Sequence, residues 1–168
     1  MQPKALIFAG ANGAGKTTFA RNVLPIDHPE CGLFLNADEI QNQAPQFASP
    51  SAAGRELLRR LAEHVARTET FAIETTLSSA GYARQIPTWR QAGYAVWLYY
   101  LEVESADLSV MRVAQRVAAG GHGIPEHDIR RRVARSSKLW PIYQGLADVW
   151  YHLRVDGKGT TLVGQNIP

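Results

Sequence analysis

Short apolar runs alternate along the chain with longer amphipathic stretches, and each spacing predicts its element. Residues 4–9 (KALIFA) are apolar almost throughout, as a strand buried on both faces must be. A glycine-rich turn follows, then a helix from about Lys16 to Leu24. Residues 33–35 (LFL) form a second, short strand that runs into Asn36-Ala37-Asp38. Leu57, Leu58, Leu61 and Val65 recur at helical spacing, so roughly 51–68 is a helix. Residues 71–75 read as a third strand, 81–92 as a helix, and the aromatic, β-branched run 94–101 as a fourth strand. Ser105 is placed to cap a helix reaching about Ala119.

Gly120-Gly121-His122-Gly123 interrupts that helix. Pro125, Glu126 and Asp128 suit the first turn of another, where a fixed φ and acidic side chains match the helix dipole. Ile129, Val133 and Trp140 share one of its faces. Residues 149–155 form a last core strand, and 160–163 add an edge. Strand–helix alternation of this kind predicts an α/β three-layer sandwich: a parallel sheet of about five strands, covered on both faces. Functional residues then belong at the carboxyl ends of the strands. The whole chain, 1–168, reads as one domain, with the polar stretch from Gln41 to Pro50 as a mobile loop.

Composition narrows the function classes. With 45% hydrophobic and 20% charged residues the chain is an ordinary globular protein. A net charge of +3 raises the question of a polyanion, and the basic residues are mostly arginine, 14 against 4 lysines. Arginine favours planar recognition of phosphate or carboxylate. Residues 105–140 hold seven basic and three acidic side chains, net +4, while the remainder sums to −1. Arg112 and Arg116 share a helix face, as do Arg131 and Arg135 beyond the glycine break. The pattern predicts a lid over about 112–135 that closes on one nucleotide's phosphates, and aromatic residues do not interleave with the arginines as a nucleic-acid surface requires. The single cysteine, Cys31, excludes an internal disulfide or a cysteine-rich zinc site and suits a reducing cytoplasm. No apolar run approaches the roughly 18 residues of a membrane helix.

The strongest chemical signal is Gly10-Ala11-Asn12-Gly13-Ala14-Gly15-Lys16-Thr17, a G-x-x-x-x-G-K-[ST] phosphate-binding loop with a strand before it and a helix after it. Its glycines let backbone N–H groups face the phosphates, and the helix N-terminus adds partial positive charge. Lys16 is placed for the β- and γ-phosphates, Thr17 for Mg²⁺, and Thr18 continues the loop. Two acidic residues close other strands: Asp38, an available base for an attacking hydroxyl, and Glu74, available for the Mg²⁺ shell or a substrate hydroxyl, with Thr76 beside it. Asp38 is also a plausible helix N-cap, and Glu39 is adjacent to it. These features predict an ATP-dependent kinase acting on a small molecule. The alternatives are an ATP-hydrolysing switch and a nucleic-acid 5′-hydroxyl kinase; no Asn-Lys-x-Asp guanine reader is present.

GANGAGKTT at 10–18, NADEI at 36–40, FAIETTLSS at 71–79 and RVAAGGHGIPEHDIRRRVARS at 116–136 together resemble the zeta-toxin family of phosphate-loop kinases, particularly its short bacterial members. The resemblance implies a kinase-type sheet in the order 2-3-1-4-5, a helical lid, ATP with Mg²⁺ as phosphoryl donor, and a protein antitoxin as partner. It further implies a UDP-sugar acceptor such as UDP-N-acetylglucosamine, Asp38 as base, and Glu74 and Thr76 at the substrate. Arg112 or Arg116 falls in the lid helix that carries a catalytic arginine. A second lid arginine of the larger toxins aligns with His122 here, which leaves its role to Arg130 or Arg131. Little chain remains beyond the last strand to build an extended sugar-nucleotide pocket.

Overall fold

The computed structural model describes residues 2–121 and 123–167. In chain order it contains β1 (Lys4–Gly10), α1 (Lys16–Asp27), β2 (Phe34–Leu35), α2 (Ala37–Gln41), α3 (Pro50–Ala66), β3 (Phe71–Thr75), α4 (Gly81–Gln91), β4 (Ala95–Val103), α5 (Ala106–Ala118), α6 (Glu126–Leu146), β5 (Val149–Val155) and β6 (Thr160–Asn166). The strands form one sheet in the order β2-β3-β1-β4-β5-β6. All neighbours are parallel except β6, which returns antiparallel along β5. The expected 2-3-1-4-5 order is therefore present, extended by the edge strand.

The apolar strand sequences follow from burial on both faces. Ala5 to Ala9 of β1 have no exposed surface, because β1 lies between β3 and β4 with helices above and below. One core layer gathers Ile7, Ile73, Leu98 and Tyr100 against Leu57, Leu61, Ile86 and Tyr143. The other gathers Leu6, Phe8, Tyr99 and Leu153 against Ala20, Phe19 and Val133. Phe8, Tyr99 and Tyr151 stack face to face across three adjacent strands, with centroids 4.9 Å apart at each step. Each aromatic pair adds about 0.5–1.5 kcal/mol to the area buried.

Ser105 caps α5 by accepting a hydrogen bond from the Leu108 amide, as its position requires. Three local features differ from the sequence reading. The stretch from Gln41 to Pro50 carries a 3₁₀ turn at Pro45–Phe47 and is pinned by Gln41 Nε2 donating to the Ala48 carbonyl, 2.8 Å. Residues 37–41 are a helix too short to show apolar periodicity. Its N-cap is Asn36, not Asp38: the Asn36 side chain accepts from the Asp38 amide at 2.9 Å, which leaves the Asp38 carboxylate available.

Candidate active site

The carboxyl ends of β1, β2 and β3 converge on the loop between β1 and α1. Gly10 sits at φ 146° with no room for a side chain, since a Cβ would lie 2.3 Å from the Leu101 carbonyl oxygen of β4. Gly15 takes the left-handed conformation, φ 84°, and starts α1 with its amides facing the loop interior. Asn12 and Lys16 are almost fully buried there. Lys16 Nζ donates to the Ala11 carbonyl at 3.1 Å and lies 3.5 Å from Glu74 Oε1. Burial pushes the Lys16 pKa down, against the opposing pull of Glu74 and Asp38.

Glu74 is the centre of a polar knot. Thr17 Oγ1 donates to its Oε2 at 2.6 Å, and Asn36 Nδ2 donates to the same oxygen at 2.9 Å. Asp38 stands opposite, exposed, with no hydrogen bond or ion pair on its carboxylate among the described residues. Glu39 is drawn outward to Arg21, 2.7 Å away. This resolves the adjacent acids: only Asp38 faces the cleft.

Two cavities meet at this point. One, about 310 Å³, is bounded by Gly13, Gly15, Thr17, Thr18, Arg112 and Arg116. The other, about 270 Å³, is bounded by Leu57, Thr75, Thr76, Ser78, Tyr82 and Arg132. Asn12, Lys16, Asp38 and Glu74 line both and form the wall between them. A phosphoryl donor on the loop side and a hydroxyl acceptor on the other would thus meet across Asp38 and Lys16.

The arginines divide sharply. Arg112 bridges two carbonyls, Gly13 at 3.4 Å and Asp156 at 2.8 Å, tying the turn after β5 to the phosphate loop. Arg116, one turn on, lines the loop-side cavity, and its charge acts on Lys16. Arg130 pairs with Glu126 and Asp107, and Arg131 with Asp128 at 2.6 Å; neither lines either cavity. Arg132 does, donating to Asn12 Oδ1 at 3.1 Å. Helical phase explains the difference. Arg132 lies three residues after buried Ile129 and four before buried Ser136, on the inward face, whereas Arg131 is rotated away. That signal was present in the sequence, unlike the placement of Tyr82, which depends on tertiary packing. His122 lies outside the described residues.

Thr17 and Glu74 offer adjacent hard oxygens, the donor type Mg²⁺ takes. Among the described residues no cluster of three or more His, Cys, Asp or Glu could hold a metal ion.

The family model for zeta toxin matches residues 1–149. The chain belongs to the zeta toxin family. An uncharacterized protein of Haemophilus influenzae is 29% identical over 136 residues, covering 79% of this chain and 94% of its own. The structure from the PezAT chromosomal toxin–antitoxin system of Streptococcus pneumoniae superposes over 98% of this chain and 72% of that one, with a TM-score of 0.67 at 16% identity. AvrRxo1-ORF1:-ORF2 with ATP superposes over 99% of this chain and 59% of that one, with a TM-score of 0.69 at 18% identity. These likenesses fix the fold, and the family makes this protein a phosphate-loop kinase, a phosphotransferase. No helix among the described residues is long and apolar enough to cross a membrane.

Proposed function

We propose that this protein transfers the γ-phosphate of ATP to a hydroxyl of a small molecule. The observation that carries the reading is Asp38, a carboxylate with no hydrogen-bond or ion-pair partner among the described residues, at the wall shared by the two cavities. Asp38 accepts the proton of the acceptor hydroxyl, whose oxygen then forms a bond to the γ-phosphorus. The bond from that phosphorus to the β–γ bridging oxygen breaks, and ADP leaves with the electron pair. Lys16 and the loop amides hold the phosphates, while Arg116 and Arg132 approach from the two cavities to offset charge that develops on them. Bound Mg²⁺ supplies further charge neutralisation, and Thr17 and Glu74 are the residues to hold it.

In this reading the segment 112–135 is a lid in which Arg112 positions the phosphate loop and Arg116 and Arg132 reach the reacting groups. Thr76 and Glu74 face the acceptor. The family suggests a UDP-sugar such as UDP-N-acetylglucosamine as acceptor and a protein antitoxin as partner; the likeness to the PezAT system supports the latter. The lone free thiol of Cys31 supports a reducing, cytoplasmic setting.

The test is transfer of label from γ-labelled ATP into a deproteinised small-molecule extract. Wild-type protein yields a labelled ester, and Asp38→Asn forms it about 10²–10⁴-fold more slowly while still binding ATP. Undiminished transfer by Asp38→Asn would remove Asp38 from the mechanism.

A further inference from the structure

Arg112 and Arg116 stand one turn apart on α5 and are directed in different ways. The Arg112 guanidinium is fixed by the Gly13 and Asp156 carbonyls. Arg116 is exposed, yet its side chain lines the loop-side cavity with Gly15, Lys16 and Thr17. A long, exposed side chain has many rotamers open to it, so a guanidinium that meets developing charge needs its stem directed.

The turn after α5 supplies that direction. The helix ends through a pair of backbone hydrogen bonds: Gly120 donates to the Val117 carbonyl and Gly121 to the Arg116 carbonyl, each at 2.9 Å. Gly120 takes the left-handed conformation, φ 88°, that turns the chain back in this way. Gly121 is thereby folded onto Arg116 itself. A Cβ at position 121 would lie 2.6 Å from Arg116 Cγ and 2.9 Å from the Arg116 carbonyl oxygen. The base of the Arg116 stem therefore occupies the place that a side chain at 121 would take. The neighbouring glycines differ. Among the described residues a Cβ at Gly120 would meet nothing within 4 Å, and one at Gly123 would meet Val117 Cγ2 at 3.6 Å, an ordinary contact.

We propose, resting on the kinase reading above, that Gly121 is a positioning residue for Arg116: the space left by its missing side chain seats the Arg116 stem and directs the guanidinium into the loop-side cavity. A side chain at 121 displaces Cγ, and a small shift so near the backbone grows along the rest of the arginine. Misplacement of a reacting or charge-stabilising group by about 1 Å is enough to cost about 10²-fold in rate. ATP binding depends little on this contact, because the loop amides and Lys16 hold the phosphates.

The experiment measures the initial rate of label transfer from γ-labelled ATP into a deproteinised cell extract, together with the KM for ATP and the urea midpoint. It compares the wild type with Gly121→Ala, Gly123→Ala, Arg116→Ala and the double variant Gly121→Ala/Arg116→Ala. Gly121→Ala is expected to lower the rate at saturating ATP by about 10- to 100-fold, with the KM for ATP within about twofold of wild type. Added to Arg116→Ala, the same change costs less than about twofold more, because the stem it displaces is already gone. Gly123→Ala, a methyl placed in the same turn with room for it, keeps the rate within about twofold of wild type. A loss that arises from a weakened turn or a less stable fold would appear in both backgrounds, so equal losses from Gly121→Ala with and without Arg116 overturn the proposal. An unchanged rate in Gly121→Ala, or an equal loss in Gly123→Ala, overturns it as well. Undiminished transfer by Arg116→Ala also overturns it and leaves the kinase reading standing on Asp38, whereas no transfer by the wild type would sink the kinase reading itself.

Discussion

The two cavities that meet at Asp38 are built in different ways. The loop-side cavity is shaped by backbone: glycines that admit no side chain, amides at the start of α1, and a lysine fixed by the Ala11 carbonyl. The acceptor cavity is shaped by side chains drawn from β3, α3, α4 and α6. Backbone recognition suits a constant ligand such as a triphosphate, because few sequences allow it and those that do share one pattern. Side-chain recognition can change one residue at a time without disturbing the fold. A single catalytic apparatus can then serve different acceptors.

If that division holds, the largest effect should come from the shared wall. Asp38→Asn should lower kcat by about 10²–10⁴-fold, the usual worth of a positioned general base, while the Kd for ATP stays within about twofold. Isothermal titration with a non-hydrolysable ATP analogue, set beside steady-state kinetics, separates the two quantities. A parallel loss of ATP affinity would mean that the two cavities act as one site.

Substituting the loop-side backbone should harm the fold before the chemistry. Gly10→Ala places a methyl 2.3 Å from the Leu101 carbonyl oxygen, at a φ of 146° that L-residues rarely adopt. Overpacking and backbone strain together predict a loss of about 2–4 kcal/mol of stability, read from urea denaturation. A variant as stable as the wild type would show that β1 and β4 can separate locally, and the account of a rigid backbone cavity would fail.

The contrast between cavities also explains what could be read from the sequence. The phosphate loop, strand order and strand-end acids follow from local patterns: a fixed glycine spacing, apolar runs and the rule that sites gather at strand carboxyl ends. Asn36 was harder to assign, because a five-residue helix shows no periodicity and either Asn36 or Asp38 is a good cap. Tyr82 carries no sequence signal, since its place in the acceptor wall depends on how α4 packs against the sheet. Arg132 could have been distinguished from its neighbours by counting from Ile129, because only Arg132 of the three consecutive arginines falls on the inward face.

That phase argument predicts a smaller but sharper effect. Arg132→Ala should lower kcat/KM by about 10- to 100-fold, as expected for one group that contacts the developing charge. Arg131→Ala should stay within about threefold of wild type, because an exposed ion pair such as Arg131–Asp128 contributes at most about 1 kcal/mol. Equal losses in the two variants would move the arginine role away from the geometry described here.

The smallest predicted effect lies far from both cavities and separates pH effects on the fold from those on the site. His28, at the end of α1, is 1% exposed; its Nε2 is 2.7 Å from the Tyr99 hydroxyl, and its ring packs edge-on against Trp97. Burial depresses its pKa, and the Lys4 ammonium 3.5 Å from Nδ1 adds to the effect, against a weaker opposing pull from Glu30. The folded protein therefore binds a proton at His28 less readily than the unfolded chain, whose histidine has a pKa near 6.5. Stability from this group is fully present above about pH 6.5 and is lost as the pH falls through that value towards the lower folded pKa. The urea midpoint should accordingly drop between pH 7.5 and pH 5.5, and the drop should shrink in His28→Gln, which keeps a hydrogen-bonding group near Tyr99 without titrating. Because His28 touches neither cavity, His28→Gln should leave the pH profile of kcat unchanged at pH values where both proteins are folded. A shifted kcat profile in that variant would connect the far end of the sheet to the site and end the clean separation of the two regions.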